Sequence, residues 1–464
     1  MSENSTANVK LPQKVRIGYA ILGIPSTLQM LLQMYFLVFF YTNILQIDGK
    51  VAALIIMVAR IWDFINDPLM GVLVEKTNKP QKCLYWMKRG IPLIAIFLIL
   101  AFWAPNLSYG MKIVWAVATY VCLGMSATMF GIPSSALRPR LTTDRTEQSK
   151  LNVYTSIVSV ALNVIVPAIT MPLVAKLQGF GVSTTFMKVA AIYAAVIVIL
   201  GFVGIKCCDG YDHDDIGVQG KQNASAKEMF KALVTNKGAM LIVVMQAVKM
   251  LLTSVASAVL VYFCTYTLGD PNIMSSQSVL GLIPNLAATA LLVALFKKFG
   301  NAGTGIMGCV WSLVTLGVIV VAYLMGALTP VMYLVCVVIM MFGAQLVTAV
   351  LQPCLMDALV YSEYKSGHKN TGVIMAASGI GQKFGLAFGY SVAALVVGLI
   401  SFDPNAAEQP KAVLDTFFHL TVTSQIVVYA VILVIFAVLA KMEKQLPAMQ
   451  KAIDERKTNV AEKE

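Results

Sequence analysis

Residues 331–355 read VMYLVCVVIMMFGAQLVTAVLQPCL, a run of 25 residues without a charged side chain. A membrane-spanning helix needs about 20 such residues, because each residue rises about 1.5 Å across a hydrocarbon core about 30 Å thick. This run extends over about 330–358, and similar apolar runs lie near 17–45, 52–75, 90–105, 112–138, 152–176, 186–207, 239–268, 276–298, 304–327, 372–401 and 416–440. The sequence therefore predicts an all-α membrane protein with twelve transmembrane helices.

The composition excludes a soluble protein. Hydrophobic residues make up 58% of the 464 residues and charged residues only 12%, against about 25% charged in globular domains. The net charge of +12 does not indicate a nucleic-acid partner, because the basic residues lie in short clusters between apolar runs. The eight cysteines contain no CxxC pair and the three histidines form no cluster, so we expect neither a disulfide nor a His/Cys metal site. With no nucleophile elbow either, we predict that the chain is not an enzyme and has no cofactor.

The polar gap at 208–237 divides the runs into six and six. It predicts an N-terminal six-helix bundle at 1–207, a cytoplasmic linker at 208–237, a C-terminal six-helix bundle at 238–441 and a cytoplasmic tail at 442–464. Lys and Arg cluster in alternate connections, which places both termini in the cytoplasm. Two six-helix halves joined by a long cytoplasmic loop are the arrangement of the major-facilitator fold, in which the halves rock around a substrate site at the membrane midplane.

The second run carries the ionisable residues that are most expensive to bury in lipid. Its central segment reads Arg60-Ile-Trp62-Asp63-Phe-Ile-Asn66-Asp67-Pro68. Asp63 and Asp67 are four residues apart, so both carboxylates lie on one face of a helix. They repel each other unless a positive charge lies between them, and hard cations prefer oxygen ligands. We predict a site for Na⁺, Li⁺ or H⁺ at this pair, with Asn66 beside it. The alternative is a structural Arg60–Asp63 ion pair, which explains one acid and not two.

Two lysines lie deep in other runs. Lys383, beside Gln382, is expected to face the central cavity and neutralise an acid of the other half. Lys249, three residues after Gln246, either pairs with an acid of the second span or meets an anionic substrate; the alternative places it nearer the membrane interface.

The segment from Arg60 to Gly71 resembles the glycoside–pentoside–hexuronide:cation symporter family. The family pattern Arg-x-Trp-Asp-x-x-x-Asp-Pro-x-x-Gly is met at every fixed position, by Arg60, Trp62, Asp63, Asp67, Pro68 and Gly71. The segment Lys383-Phe-Gly385-Leu-Ala-Phe-Gly389 resembles the family's Lys-x-Gly-x-Ala-x-Gly. The resemblance implies a cation site made of Asp63, Asn66, Asp67 and Thr128.

The residues at the positions that bind the sugar differ from those of the galactoside-type members of that family. Those members carry an acid in the first span and another just before the Ile-Pro of the fourth span, and some have a Trp after that Pro. This chain has Gly23-Ile-Pro25, Gly131 and Ser135 at the corresponding places. Galactoside recognition is therefore not expected. Because a carboxylate is attracted by a lysine and repelled by acids, the missing acids together with Lys249 suggest an anionic solute such as a hexuronide.

These features predict cation-coupled symport of a glycoside, pentoside or hexuronide by alternating access. We expect a multi-pass monomer in the lipid bilayer of the bacterial cytoplasmic membrane. Two alternatives remain: a transporter of another solute class, such as a lysolipid, and a membrane sensor that does not transport. Binding without flux would indicate the sensor.

Overall fold

The computed structural model describes residues 11–142, 145–177, 182–212, 237–366, 371–400, 402–403, 406, 408–446 and 448–452. Within these ranges the regular structure is helical and no strand is present. The chain divides into two compact units. Unit 1 comprises Met1–Lys221 with Ala394–Ile400, and unit 2 comprises Gln222–Ala393 with Ser401–Glu464. Residues 213–236 of the predicted linker and 453–464 of the predicted tail lie outside the described residues.

Unit 1 is built from seven described helices. They are α1 (Gln13–Ile21), α2 (Ile24–Phe39, followed by a π-helical turn at Phe40–Ile44), α3 (Gly49–Lys76), α4 (Lys82–Ala101), α5 (Tyr109–Leu141), α6 (Arg145–Leu177) and α7 (Val182–Cys208). α4 packs against α5 and α7, and α1 packs against α6 and α7. α3 packs mainly on α5, which brings the charged second run against the fourth.

Unit 2 contains the remaining described helices. They are α8 (Lys237–Tyr262, with a π-helical turn at Phe263–Thr267), α9 (Ile273–Leu280), α10 (Leu282–Leu324), α11 (Pro330–Ser366), α12 (Thr371–Leu399), α13 (Lys411–Phe418, with a π-helical turn at His419–Thr423) and α14 (Ser424–Glu443). α10 is kinked at Gly300, whose φ of 74° is left-handed. Since glycine has no Cβ it adopts this conformation freely, and the kink separates the two predicted runs 276–298 and 304–327. α10 packs on α11 and α14.

Nine stretches of the described helices are long and apolar enough to cross a membrane. α3 is not among them, because Lys50, Arg60, Asp63 and Asp67 interrupt its apolar character. A helix whose length suits a span and whose centre carries acids is a functional site by default, since lipid excludes such groups unless they are paired or face a cavity.

Each unit has an acidic side chain near the end of its last long helix that accepts hydrogen bonds from backbone N–H groups. In unit 1, Asp212 follows α7, and its Oδ2 accepts hydrogen bonds from the backbone N–H of Cys83 (2.8 Å) and Leu84 (3.2 Å) at the start of α4. In unit 2, Glu443 closes α14 and accepts from the backbone N–H of Asn301 (2.6 Å) and Ala302 (2.9 Å) just after the kink. In each unit an acid at or just after the end of the last long helix accepts hydrogen bonds from backbone N–H groups, which begin a helix in unit 1 and follow the kink of α10 in unit 2. This correspondence is typical of a chain built from a structural repeat.

Candidate functional site

The predicted acid pair lies where α3 packs on α5 in unit 1. Thr128 of α5 donates a hydrogen bond of 2.9 Å from Oγ1 to Oδ1 of Asp67. Thr128 is buried, whereas Asp67 is half-buried. The structure therefore brings together a carboxylate and a hydroxyl that are 61 residues apart in sequence. Both oxygens are ligand types that hard cations prefer.

Asp63 is held from two sides. Nη1 of Arg60 lies 3.3 Å from Asp63 Oδ2, one helical turn away on α3. The Arg60 guanidinium also lies 5.7 Å from the ring centroid of Tyr120 on α5, within the distance of a cation–π interaction. Tyr120 thus contacts the arginine that pairs with Asp63. The ion pair expected as the structural alternative is present, and Asp67 accepts its hydrogen bond from Thr128 on the neighbouring helix.

Gly124 allows Asp63 to approach α5. A Cβ built at Gly124 would lie 2.8 Å from Asp63 Oδ1, closer than real Cβ atoms come to a neighbouring atom. Gly124 lies one turn before Thr128, so the same face of α5 receives both acids. Glycine is required here for space, since this position is inside a helix.

Asn66 adds a side-chain amide with an unsatisfied hydrogen-bond donor. Its amide nitrogen is buried, and the described residues supply no hydrogen-bond acceptor for it. Such a group costs about 1–3 kcal/mol. The two ends of an amide have nearly the same shape, so a half-turn would present the oxygen at this position instead. An oxygen facing a bound cation would be satisfied, which fits the predicted ligand set.

The predicted sugar-side positions on α5 are open. A Cβ at Gly131 would meet no heavy atom within 4 Å, and Ser135 is exposed. Gly131 lies one turn after Thr128 on the same helix. The structure therefore leaves space beside the cation-site residues, and at these two positions that space is not bordered by an acid.

In the described part of unit 2, the predicted residues take part in hydrogen bonds between helices. Gln382 of α12 donates from Nε2 to Oε1 of Gln246 on α8. Lys249 of α8 donates from Nζ to Oγ1 of Thr348 on α11 at 2.7 Å. It is the thirteenth residue of the 26-residue α8, so the helix bounds do not support the alternative that places it near the interface. The backbone of Lys383 lies in α12, but its side chain is outside the described residues.

Glycines bring α12 against α8. Gly381, Gly385 and Gly389 recur every four residues, and a Cβ at Gly385 would overlap the carbonyl oxygen of Ala247. Small residues at this spacing let two membrane helices approach closely. The close approach sets Gln382 beside Gln246.

The structure thus joins the predicted residues into separate groups. Arg60, Asp63, Asp67 and Thr128 gather in unit 1, Gln246 joins Gln382 in unit 2, and Lys249 joins Thr348. Sequence reasoning missed Tyr120, Gly124 and Thr348. The signal for Tyr120 and Gly124 was their spacing: they precede Thr128 by eight and four residues, two turns and one turn on the same face. Thr348 gave no signal beyond a polar residue within an apolar run.

Long apolar helices in both units of the described chain, with acids held on a further long helix against its neighbour, are typical of a multi-pass membrane transporter. The family described as MFS/sugar transport protein matches residues 18–441, and the chain belongs to this family. It is a family of transporters and not of enzymes, which confirms the prediction. The resemblance to the sugar symporters of the major-facilitator superfamily is confirmed as well.

Known proteins agree with this membership. The isoprimeverose transporter of Lactiplantibacillus pentosus is 27% identical over 407 residues, covering 87% of this chain and 83% of that protein. The inner membrane symporter YicJ of Escherichia coli (strain K12) is 24% identical over 433 residues, covering 93% and 91%. A bacterial homologue of the human lysosomal transporter Spinster superposes with a TM-score of 0.62 at 8% identity, covering 94% and 97%. That likeness supports the fold, and the predicted all-α major-facilitator class is confirmed.

Proposed function

We propose that this chain is a cation-coupled symporter of a sugar or sugar derivative. One observation carries the proposal: Thr128 donates a hydrogen bond to Asp67, and the carboxylate of Asp63, one turn away, lies against Gly124 of the same helix as Thr128. Two carboxylates, a hydroxyl and the Asn66 amide supply four oxygen groups on two packed helices. Relatives named as a sugar transporter and as a symporter support the same function.

The coupling ion is a hard monovalent cation: Na⁺, Li⁺ or H⁺. Arg60 lies 3.3 Å from Asp63, so its positive charge offsets part of the negative charge of the acid pair. A bound monovalent cation would add a further positive charge beside the two carboxylates. Since a buried charge is costly in a membrane, the neutral loaded site changes conformation more easily than the charged empty one.

Coupling follows from linkage. If the bound cation increases solute affinity by some factor, the solute must increase cation affinity by the same factor. In the major-facilitator architecture the two halves then rock to expose the site to the opposite side of the membrane. Cation and solute cross together because neither half-loaded state is favoured.

The cellular setting is part of the proposal. Clusters of Lys and Arg in alternate connections support cytoplasmic termini, and the bacterial relatives support a bacterial cytoplasmic membrane. We infer that the chain works as a monomer, with the lipid bilayer and a small solute as its partners.

Solute-induced charge movement in proteoliposomes tests this function. Methyl glycosides, pentosides and lysophosphatidylcholine are added with and without Na⁺ or a pH gradient. We expect a sugar-induced current or cation flux that Asp63→Asn abolishes. Glu75→Gln is the matched control, because Glu75 is an exposed acid on the same helix and should leave the current unchanged.

Each other result has a clear meaning. A current with lysophosphatidylcholine alone would assign the other solute class. Sugar binding without flux or cation dependence, in correctly folded protein, would contradict symport and support the sensor. An unaffected Asp63→Asn current would remove the cation site from Asp63.

A further inference from the structure

Unit 2 carries a row of polar side chains across four of its helices. We call it the polar row, and its members are Gln382 of α12, Gln246 and Lys249 of α8, Thr348 and Gln345 of α11, and Thr289 of α10. All lie in long apolar helices. Polar groups at such positions are rarely exposed to lipid, because hydrocarbon offers them no hydrogen-bond partner.

Contacts between neighbouring helices join the row. Gln382 bonds to Gln246, and Lys249 donates to Thr348 at 2.7 Å. Nε2 of Gln345 donates to Oγ1 of Thr289 at 3.3 Å. Within α8, Gln246 and Lys249 are three residues apart, as are Gln345 and Thr348 within α11. Residues at this spacing are neighbours on a helix surface, so the row is continuous.

Lys249 is the charged member, and it has a neutral partner. A lysine ammonium has three N–H donors, of which Thr348 receives one. Thr348 itself donates from Oγ1 to the carbonyl oxygen of Ala344 at 2.8 Å, which directs a lone pair towards Lys249. Among the described residues no carboxylate forms an ion pair with Lys249. A structural lysine at this depth would be expected to have an acidic partner.

We propose that the polar row is the binding site for an acidic sugar, with Lys249 receiving the carboxylate. Lys249 then gains its counter-ion when the solute binds, through its two remaining donors. The amides of Gln345 and Gln246 and the hydroxyl of Thr289 bind sugar hydroxyls. Thr348 is a positioning residue, because its hydroxyl holds Lys249 in one orientation. The inference rests on the proposed function, since it names the solute class of that transporter.

The exposed fraction of the side chains differs along the polar row. Gln246 is buried, Lys249, Gln345 and Gln382 are half-buried, and Thr289 and Thr348 are exposed. The row therefore has a packed end at the two glutamines and an accessible end at the threonines. A ligand reaching the accessible end meets Lys249 while that side chain is still partly shielded from water, which strengthens the attraction of opposite charges.

The test compares two solutes that differ at one carbon. Methyl β-glucuronide carries a carboxylate where methyl β-glucoside carries a hydroxymethyl group. We expect wild-type proteoliposomes to take up the glucuronide with at least about 10-fold higher kcat/KM. Lys249→Gln should lower glucuronide uptake about 10- to 100-fold, the size of a charged hydrogen bond, with little effect on the glucoside. Lys249→Arg keeps the charge and should retain the preference for the glucuronide.

Two further variants separate positioning from folding. Thr348→Val should raise the KM for the glucuronide more than that for the glucoside, whereas Thr348→Ser should resemble the wild type. Lys206→Gln is the control: Lys206 is an exposed lysine on α7 in unit 1, so this change should leave the uptake of both solutes unaltered. If Lys249→Gln fails to fold, the Thr348 variants carry the test.

The outcomes separate the two proposals. Glucoside uptake without a glucuronide preference would overturn the inference and leave the proposed function standing. Uptake of neither glucoside nor glucuronide, nor of any sugar in the earlier panel, would overturn both. A preference for the glucuronide that is unchanged in Lys249→Gln and Thr348→Val would also overturn the inference, because acidic sugars would then bind elsewhere.

Discussion

Thr128 and Asp67, on different helices of unit 1, share a hydrogen bond of 2.9 Å between Oγ1 and Oδ1. The contact orients the Thr128 lone pairs and holds one of the two acids in place. The two acids have different contacts: Asp67 accepts from a hydroxyl, and Asp63 pairs with Arg60. A cation that binds between the acids would therefore meet one carboxylate from each arrangement.

Removing the Thr128 hydroxyl should weaken cation coupling. Thr128→Val keeps the side-chain shape but loses one oxygen ligand and one hydrogen bond. We expect the cation concentration for half-maximal solute uptake to rise about fivefold, since one such interaction contributes about 1 kcal/mol. Thr128→Ser should stay near the wild type. Equal cation dependence in Thr128→Val and the wild type would exclude Thr128 as a ligand.

Adding one methyl group at Gly124 should displace Asp63. The new Cβ would lie 2.8 Å from Asp63 Oδ1, so the carboxylate must move. We expect Gly124→Ala to lower the apparent cation affinity by about tenfold or more, because the ligand geometry changes. Gly110→Ala on the same helix is the control, since a Cβ there meets nothing within 4 Å. Identical cation titrations for both variants would contradict the close approach.

Truncating Asp212 should destabilise unit 1. The carboxylate is fully buried and accepts from two backbone N–H groups and from Nε of Arg140, which is 4% exposed. Asp212→Ala removes a fully buried carboxylate that pairs with a buried guanidinium and accepts from two backbone N–H groups, and we expect a loss of about 3–5 kcal/mol in unfolding free energy. Thermal unfolding of the purified protein measures this loss. Asp209→Ala, at an exposed acid three residues earlier, should change little.

Acid should selectively weaken the start of α6. The hydrogen bond from Lys150 and the contacts with Arg16 hold the pKa of Glu147 below its usual value. A lowered folded-state pKa means that the carboxylate stabilises the fold above the unfolded pKa of about 4.3. This stabilisation is lost as the pH falls through the folded pKa.

The difference in melting temperature between wild type and Glu147→Gln should therefore be largest above about pH 5 and shrink below about pH 4. A difference that stays constant between pH 7 and pH 3.5 would show that the ionised form of Glu147 is not what stabilises this contact.

The sequence predicted those features of the site that depend on residue spacing within a single helix. Asp63 and Asp67 share a face because of their spacing alone, and Thr128 was placed by the family resemblance. Tyr120 and Gly124 were not foreseen, since helical periodicity gives the faces of a helix but not which faces meet. The partner of Lys249 is 99 residues away, and no local rule connects Lys249 with Thr348.

The fold shows the same division between local and tertiary information. Hydropathy located the third run near 90–105, but α4 already begins at Lys82. Its first turns carry Lys82, Lys88 and Arg89 among apolar residues, which lowers the local hydropathy. Asp212, about 130 residues later, stabilises this helix start by accepting hydrogen bonds from the free N–H groups of Cys83 and Leu84. The kink at Gly300 likewise coincides with the boundary that hydropathy suggested, while the acid that caps it, Glu443, was not foreseen.

Cation-coupled symport requires that cation binding and solute binding strengthen each other, and equilibrium binding measures this linkage. Equilibrium binding to the purified protein gives the solute Kd with and without the cation, and the cation Kd with and without the solute. We predict that both Kd values fall by the same factor in the wild type, and that this factor becomes one in Asp63→Asn and Asp67→Asn. Solute binding that is independent of Na⁺, Li⁺ and pH in the wild type would contradict the account.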